Sequence, residues 1–285
     1  MDQASFQPLV LTAGIHRLID WALEEDISSG DITTNHLVAP AGRTQGKIKA
    51  KEALTVAGLE VARQVFLRLD PEVVFLPSAA DGEVVEPGTV LATVNGRLSA
   101  LLTGERTALN FLQRLSGIAT HVRRYMALLG DRRVRLVDTR KTTPGWRVLE
   151  KYAVRVGGAA NHRMGLYDAV LIKDNHIAAC GGITSAIRRI RAAVSHLTKV
   201  EVETASMAQV HEALATGADV IMLDNMDIPA IREAVQVIAG KALVEVSGGV
   251  TAENLVALAD TGVDLISSGA LTHSARAVDI SMKII

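Results

Sequence analysis

The sequence predicts an α/β protein in which a small α+β domain on an antiparallel sheet is followed by a parallel array of strand and helix units. Three observations carry that reading. Between residues 44 and 98, short strand-like runs alternate with turn dipeptides. Beyond Asp131, apolar runs end at Val137, Ile172, Val202, Leu223, Val246 and Ile266, with helical segments between them. Each of those runs gives way at once to polar or glycine residues.

Leu11, Ile15, Leu18, Ile19, Ala22 and Leu23 recur at helical spacing and predict a helix over about 8–25. The stretch EEDISSGDITT after it reads as a turn. Its acids are candidates for holding a metal or, the preferred reading, for capping the next element. Strands are predicted at 47–50, 54–57, 73–76, 83–85 and 90–94, with a helix near 59–69 and turns at Asp81-Gly82, Pro87-Gly88 and Asn95-Gly96. A long helix follows over roughly 99–129, with Gly117 as a candidate break. Leu109, Leu112 and Leu115 are placed for packing, whereas Arg106 lies on a different side, where an arginine is ordinarily solvated.

In the second half, the positions just after the strands are 138, 173, 203, 224, 247 and 268, between 21 and 35 residues apart. That spacing suits a strand, a loop and a helix. Asp227 with Pro229 opens one helix and Gly240 closes it; Thr251 opens another and Gly262 closes it. Six units are fewer than the eight of a complete barrel, so an incomplete or irregular barrel is expected, with an open doubly wound sheet as the alternative.

The 285 residues can bury a substantial core, and with 48% hydrophobic but 3% aromatic residues that core must be aliphatic. A single cysteine, Cys180, rules out an intrachain disulfide framework and suits a reducing cytosol. No apolar run reaches the ~18 residues of a membrane span, and the opening MDQASFQPLV lacks the pattern of a signal peptide. A cytoplasmic protein with no nucleic-acid or membrane partner is expected. The formal net charge is -1, yet nine basic residues face three acidic ones between Asp131 and Arg163. The positive charge is therefore local, which points to a pocket for anions.

If the array closes as a barrel, its strand exits converge. They bring Asp138, Thr139, Arg140 and Lys141, then Lys173 and Asp174, Glu203, Asp224 and Asn225, Ser247-Gly248-Gly249, and Ser267, Ser268 and Gly269. The two glycine turns, the second continuing into Ala270, suit a phosphate site in the last two loops, unless they only make tight turns. Arg140, Lys141, Arg163 and Lys173 suit a ligand with several carboxylates or phosphates, and Lys173 alone would also suit a Schiff-base lyase. Glu203 and Asp224 read as magnesium ligands, as partners of sugar hydroxyls, or as simple ion-pair partners of nearby lysines. His162 reads either as a donor to an anionic substrate or as a packing residue.

The segments DTRKTTPG, LEKYAV, NHRMGL, LIKDNHI, EVE, LDN, SGG and GALTHS stand in the order found in quinolinate phosphoribosyltransferases, and the chain resembles that family from EDISSGDITT to VDISMKI. One departure is Ala159, where the family more often carries a third glycine. The resemblance implies an open α/β sandwich over 1–115 with its linking helix, an incomplete barrel over 116–275, and a last strand, 276–285, that returns to the first domain. It also implies conversion of quinolinate and phosphoribosyl pyrophosphate into nicotinate mononucleotide, pyrophosphate and carbon dioxide, with magnesium. A homodimer with shared sites, or a hexamer built from it, is expected; the competing reading is a same-fold paralogue of the molybdenum-transport type, against which the intact DTRK and NHR segments argue. Carried over by motif, Arg106, Arg140, Lys141, His162 and Arg163 would hold quinolinate, with Thr139 beside them. Lys173, Glu203 and Asp224 would face ribose, pyrophosphate and metal, Lys141 completing the catalytic set. Ser247, Gly248, Gly249, Ser268, Gly269 and Ala270 would cradle the 5'-phosphate.

Overall fold

The computed structural model describes residues 7–39 and 42–285. It divides into two compact units. The first runs to Arg123 and takes in Thr142–Gly158 and Ser274–Ile285; the second comprises Arg124–Lys141 and Ala159–His273. A boundary at 115/116 would fall inside a continuous helix, and 142–158, expected within the barrel, is grouped with the first unit instead.

In the first unit, α1 (Ala13–Ile27) buries Ile15, Ile19 and Leu23 along one stripe. It runs on through Glu24, Glu25 and Asp26, so the turn after it is shorter than expected. Asp31 ends that turn and caps α2 (Ile32–Leu37), its side chain accepting the Thr34 N–H at 2.8 Å. The strands β1 (Arg43–Ala50), β2 (Leu54–Thr55), β3 (Val74–Pro77), β4 (Val84–Val85) and β5 (Val90–Arg97) follow, with α3 (Leu59–Leu69) after β2. The chain's last strand, β12 (Ile280–Ile284), pairs antiparallel with β1, giving a sheet of order β12-β1-β5-β3. Ile48 and Ala50 of β1 and Leu91, Ala92 and Val94 of β5 are buried, as are Val61, Ala62, Val65 and Phe66 of α3.

Asn95-Gly96 is not a turn. Both residues lie within β5, paired with Gln45 and Thr44. The glycine is needed for close approach: a Cβ there would meet Val73 at 2.9 Å and Leu101 at 3.0 Å.

The 32-residue α4 (Leu98–Leu129) is unbroken at Gly117. A Cβ at that position would stand 2.1 Å from the Arg276 carbonyl oxygen, so this glycine lets the returning C-terminal segment lie against the helix. Helix α5 (Arg147–Val156) belongs to the same unit. Its fully buried Glu150 takes the Arg114 guanidinium at 2.7 Å.

The second unit is a sheet of six parallel strands: β6 (Arg135–Val137), β7 (Val170–Ile172), β8 (Val200–Thr204), β9 (Val220–Asp224), β10 (Leu243–Ser247) and β11 (Leu265–Ser267). Its order is β6-β11-β10-β9-β8-β7. Five strands follow one another without reversal and the first then joins the last. That cyclic order belongs to an incomplete barrel, because a doubly wound sheet reverses its order midway. On the open edge of β6, Val137 bridges to Ala160 in parallel. The crossovers hold α6 (Asp174–Cys180), α7 (Ile183–Ala193), α8 (Met207–Ala215), α9 (Ile228–Ile238), α10 (Leu255–Ala259) and α11 (Ala270–His273). Ser206 and Asp227 cap α8 and α9 through their side chains. Among the described residues, no helix is long and apolar enough to cross a membrane.

Gly117→Ala tests the packing in the first unit. A methyl cannot fit 2.1 Å from a backbone oxygen without moving the helix or the segment at Arg276, so urea unfolding should show a loss of about 3 kcal/mol, whereas an ordinary glycine-to-alanine change inside a helix gains about 0.5–1 kcal/mol.

Candidate active site

The carboxyl ends of the second unit's strands surround a cavity of about 590 Å³. Thr139, Arg140 and Lys141 enter from the loop after β6, and His162 and Arg163 from the segment beyond the Ala160 bridge. Leu171 and Lys173 come from β7 and its exit, Glu203 from β8, and Met222, Asp224 and Asn225 from β9 and its exit. Glu245, Ser247, Gly248 and Gly249 come from β10 and its exit, and Ser267 from β11. These are the positions a parallel barrel reserves for chemistry.

Local contacts set each group. The Thr139 hydroxyl accepts the Lys141 N–H at 3.0 Å, and Thr272 donates to the Lys141 carbonyl at 2.9 Å. Lys173 Nζ lies 2.9 Å from Glu203 Oε2, so the ion-pair reading of Glu203 holds for this lysine. An ammonium engaged in that pair has no lone pair to attack a carbonyl, and a Schiff-base role gains no support. Asp224 pairs with no cation among the described residues; the Asn225 amide donates to its Oδ2 at 2.9 Å. Asn225 holds φ 54 and Gly248 φ 90, and a Cβ on Gly248 would lie 2.2 Å from Asn225 Oδ1. Glycine is therefore obligatory at 248 on two counts.

Four expected residues stand outside this wall. Ser268 is buried with its hydroxyl on the Val250 carbonyl, Gly269 backs onto the Lys141 side chain, and Ala270 opens the four-residue α11. Arg106 is an exposed residue of α4 in the first unit. Ala159 avoids positive φ, so its Cβ is no burden, whereas Gly158 beside it holds φ 103.

Beneath the wall lies a feature the sequence reading missed. His162 Nε2 is 3.2 Å from Glu201 Oε2 and 3.6 Å from Glu245 Oε2. Both acids are buried, and among the described residues neither Oε1 has a hydrogen-bond partner, at a cost of about 1–3 kcal/mol per group. Burial, then the facing Glu201 carboxylate, raises the Glu245 carboxyl to about 7, with His162 opposing. Burial, then the charge of Arg140, lowers the Arg163 guanidinium, with Glu201 and Asp168 opposing. The signal in the sequence was a glutamate inside an apolar strand, Val-Glu-Val at 200–202 and again at 244–246. A charge in such a place requires a partner.

Two donor sets bear on metal binding. His162, Glu201 and Glu245 offer ligand atoms within 4.8 Å of one another. The Arg163 N–H donates to His162 Nδ1 at 2.7 Å, however, which leaves the proton on Nε2 and no lone pair there for a metal. Glu203 and Asp224 are hard oxygen donors on adjoining strands facing the cavity, and Asp224 lacks a cationic partner. They fit magnesium, which takes one or two carboxylates and completes its shell with phosphate and water.

An incomplete parallel barrel with cations, carboxylates and a paired-glycine turn around one cavity at its strand ends has the architecture of an α/β-barrel enzyme. Residues 31–116 match the family described as quinolinate phosphoribosyl transferase, N-terminal domain, and residues 118–283 match the C-terminal domain of the same family. The chain belongs to the quinolinate phosphoribosyltransferase family. It is 48% identical over 266 residues to a probable nicotinate-nucleotide pyrophosphorylase [carboxylating] of Synechocystis sp., covering 92% of this chain and 90% of that one. A Bacillus subtilis protein of the same description is 44% identical over 270 residues, 95% of this chain and 93% of its own. The crystal structure of NadC from Streptococcus pyogenes superposes with a TM-score of 0.93 at 44% identity, covering 98% of this chain and 99% of that one.

The buried carboxyl predicts a pH effect on stability. Its folded value, about 7, is above the ordinary 4.5, so the stability it contributes is full below the unfolded value and is lost as pH rises through the folded one. The wild-type Tm should fall between about pH 5 and pH 8 by a few degrees more than that of Glu245→Gln. Equal slopes in differential scanning calorimetry would contradict this assignment.

Proposed function

We infer that the protein transfers the phosphoribosyl group of phosphoribosyl pyrophosphate to the ring nitrogen of quinolinate, with loss of carbon dioxide, to give nicotinate mononucleotide and pyrophosphate. This is a pentosyl transfer in NAD biosynthesis. The observation that carries the reading is one cavity combining a cationic wall (Arg140, Lys141, Arg163, Lys173) with the carboxylates Glu203 and Asp224 and the Gly248-Gly249 turn. A dicarboxylate and a pyrophosphate both demand cations, and the planar forks of Arg140 and Arg163 match carboxylates in particular.

The bond from the ribosyl carbon to pyrophosphate breaks with its electron pair going to the leaving group. Positive charge then develops at that carbon, and Glu203 and Asp224 have the sign that stabilises it. The quinolinate nitrogen supplies the pair for the new bond, and its ring becomes a pyridinium. The adjacent carboxylate leaves as carbon dioxide, its bonding pair stays on the ring carbon beside the charged nitrogen, and a proton completes the product. No covalent nucleophile of the protein is required: its residues orient, neutralise and exclude water. Glu203 and Asp224 would hold a magnesium ion, which when bound would supply positive charge to offset the negative charge of the leaving pyrophosphate.

The working unit is a homodimer, alone or within a hexamer, in which Arg106 serves the site of a second copy. The protein acts in the cytoplasm, which its lone Cys180 suits.

Product formation from quinolinate, with nicotinate in parallel, tests the reaction. Turnover of quinolinate alone, with carbon dioxide released, is expected; turnover of neither would overturn the reading. Asp224→Asn should lower kcat by about 100-fold or more. Mixing inactive Arg106→Ala with inactive Asp224→Asn should restore about one site in four if sites are shared across a two-fold dimer, and no restoration would place Arg106 outside the site.

A further inference from the structure

His162 is held at both ring nitrogens. The Arg163 N–H donates to Nδ1 at 2.7 Å, so the ring proton sits on Nε2, which faces Glu201 and Glu245 at 3.2 and 3.6 Å. The acids come from β8 and β10, are 7% and 1% exposed, and among the described residues neither buried Oε1 has a hydrogen-bond partner. Burying two acids costs more than pairing them with one imidazole returns, so a purely structural purpose does not account for them. From the other side, Asp138 accepts the His162 N–H at 2.9 Å and the Asn161 amide at 2.6 Å. The segment is thus clamped from the β6 exit and from the barrel interior together.

We propose that Glu201 and Glu245 are positioning residues for the acceptor-binding wall: by holding the His162 ring at Nε2 they fix the backbone from which the Arg163 guanidinium reaches the cavity. Glu201 also carries charge of the sign that offsets, at that guanidinium, the repulsion from Arg140. The Arg163 side chain is otherwise steadied by the Ala169 carbonyl at 3.2 Å. The inference rests on the quinolinate reading above, because it assigns the effect to the dicarboxylate and not to phosphoribosyl pyrophosphate.

The test is steady-state kinetics of full-length wild type, E201Q and E245Q, each substrate varied in turn, beside 15N-histidine NMR of the same proteins. In E201Q the KM for quinolinate should rise about tenfold or more, the KM for phosphoribosyl pyrophosphate should stay within about twofold, and kcat should change less than the quinolinate KM. The His162 ring, a single Nε2–H tautomer in wild type, should average between tautomers in E201Q. E245Q should show the same changes in smaller degree, because Glu245 stands 3.6 Å from Nε2 against 3.2 Å for Glu201. Equal rises in both KM values, a fall in kcat alone, or an unchanged His162 signal in E201Q would overturn the proposal. Should E201Q not fold, E245Q is judged by the same readouts. Failure of the wild type to use quinolinate would sink the functional reading instead, while the NMR signals would still decide whether the acids hold the ring.

Discussion

A parallel strand meets a ligand at one end only, and the site depends on that constraint. In an antiparallel sheet, successive exits point to opposite ends, so no run of neighbouring strands can deliver six polar exits to one place. Here the sheet runs from β7 to β11 and on to β6, and each strand or the loop after it brings residues to the same cavity. The Val137–Ala160 bridge extends this wall on the open edge of β6, which is how His162 and Arg163 join a set otherwise supplied by strand exits.

The same closure forces unlike charges together. A cavity that attracts a dicarboxylate and a pyrophosphate must be cationic, yet a ribosyl centre that loses its leaving group needs negative charge beside it. The two demands are separated by strand: the cations stand at the β6 and β7 exits and at 162–163, the carboxylates at β8 and β9. Lys173 and Glu203 join the two halves in an ion pair, and deeper in the barrel His162 sits against two acids. Low dielectric makes the buried pairing consequential, and it is why the Glu245 carboxyl, facing Glu201, is raised.

Glycine shows how differently one residue type can act within the chain. Gly248 holds a positive φ against Asn225, where backbone conformation and close packing coincide. Gly96 and Gly117 serve close approach alone, one in the middle of a strand and the other in the middle of a helix. Read locally, Asn-Gly is the strongest of hairpin signals, but the tertiary neighbours of Gly96 decided otherwise. The lesson extends to the acids of 24–31, where helix propensity carried α1 through three of them and left Asp31 as a cap.

What the sequence by itself determined is whatever depends on the period and length of apolar runs. The six strands of the barrel, α3 residue for residue, and the polar groups at each strand exit were legible because burial imposes those patterns on neighbouring residues. Tertiary structure alone decided which distant atoms meet. The Ser268-Gly269-Ala270 turn has the residues of a phosphate loop, but its serine is spent on Val250 and its glycine backs onto Lys141. Residues 142–158 follow a barrel strand in sequence yet pack with the first unit, because Glu150 finds its arginine there. Glu201 and Glu245 were visible only as charges out of place within apolar strands. Their partner, His162, lies far off in sequence, and a local pattern carries no information about a contact that exists only once the sheet has closed.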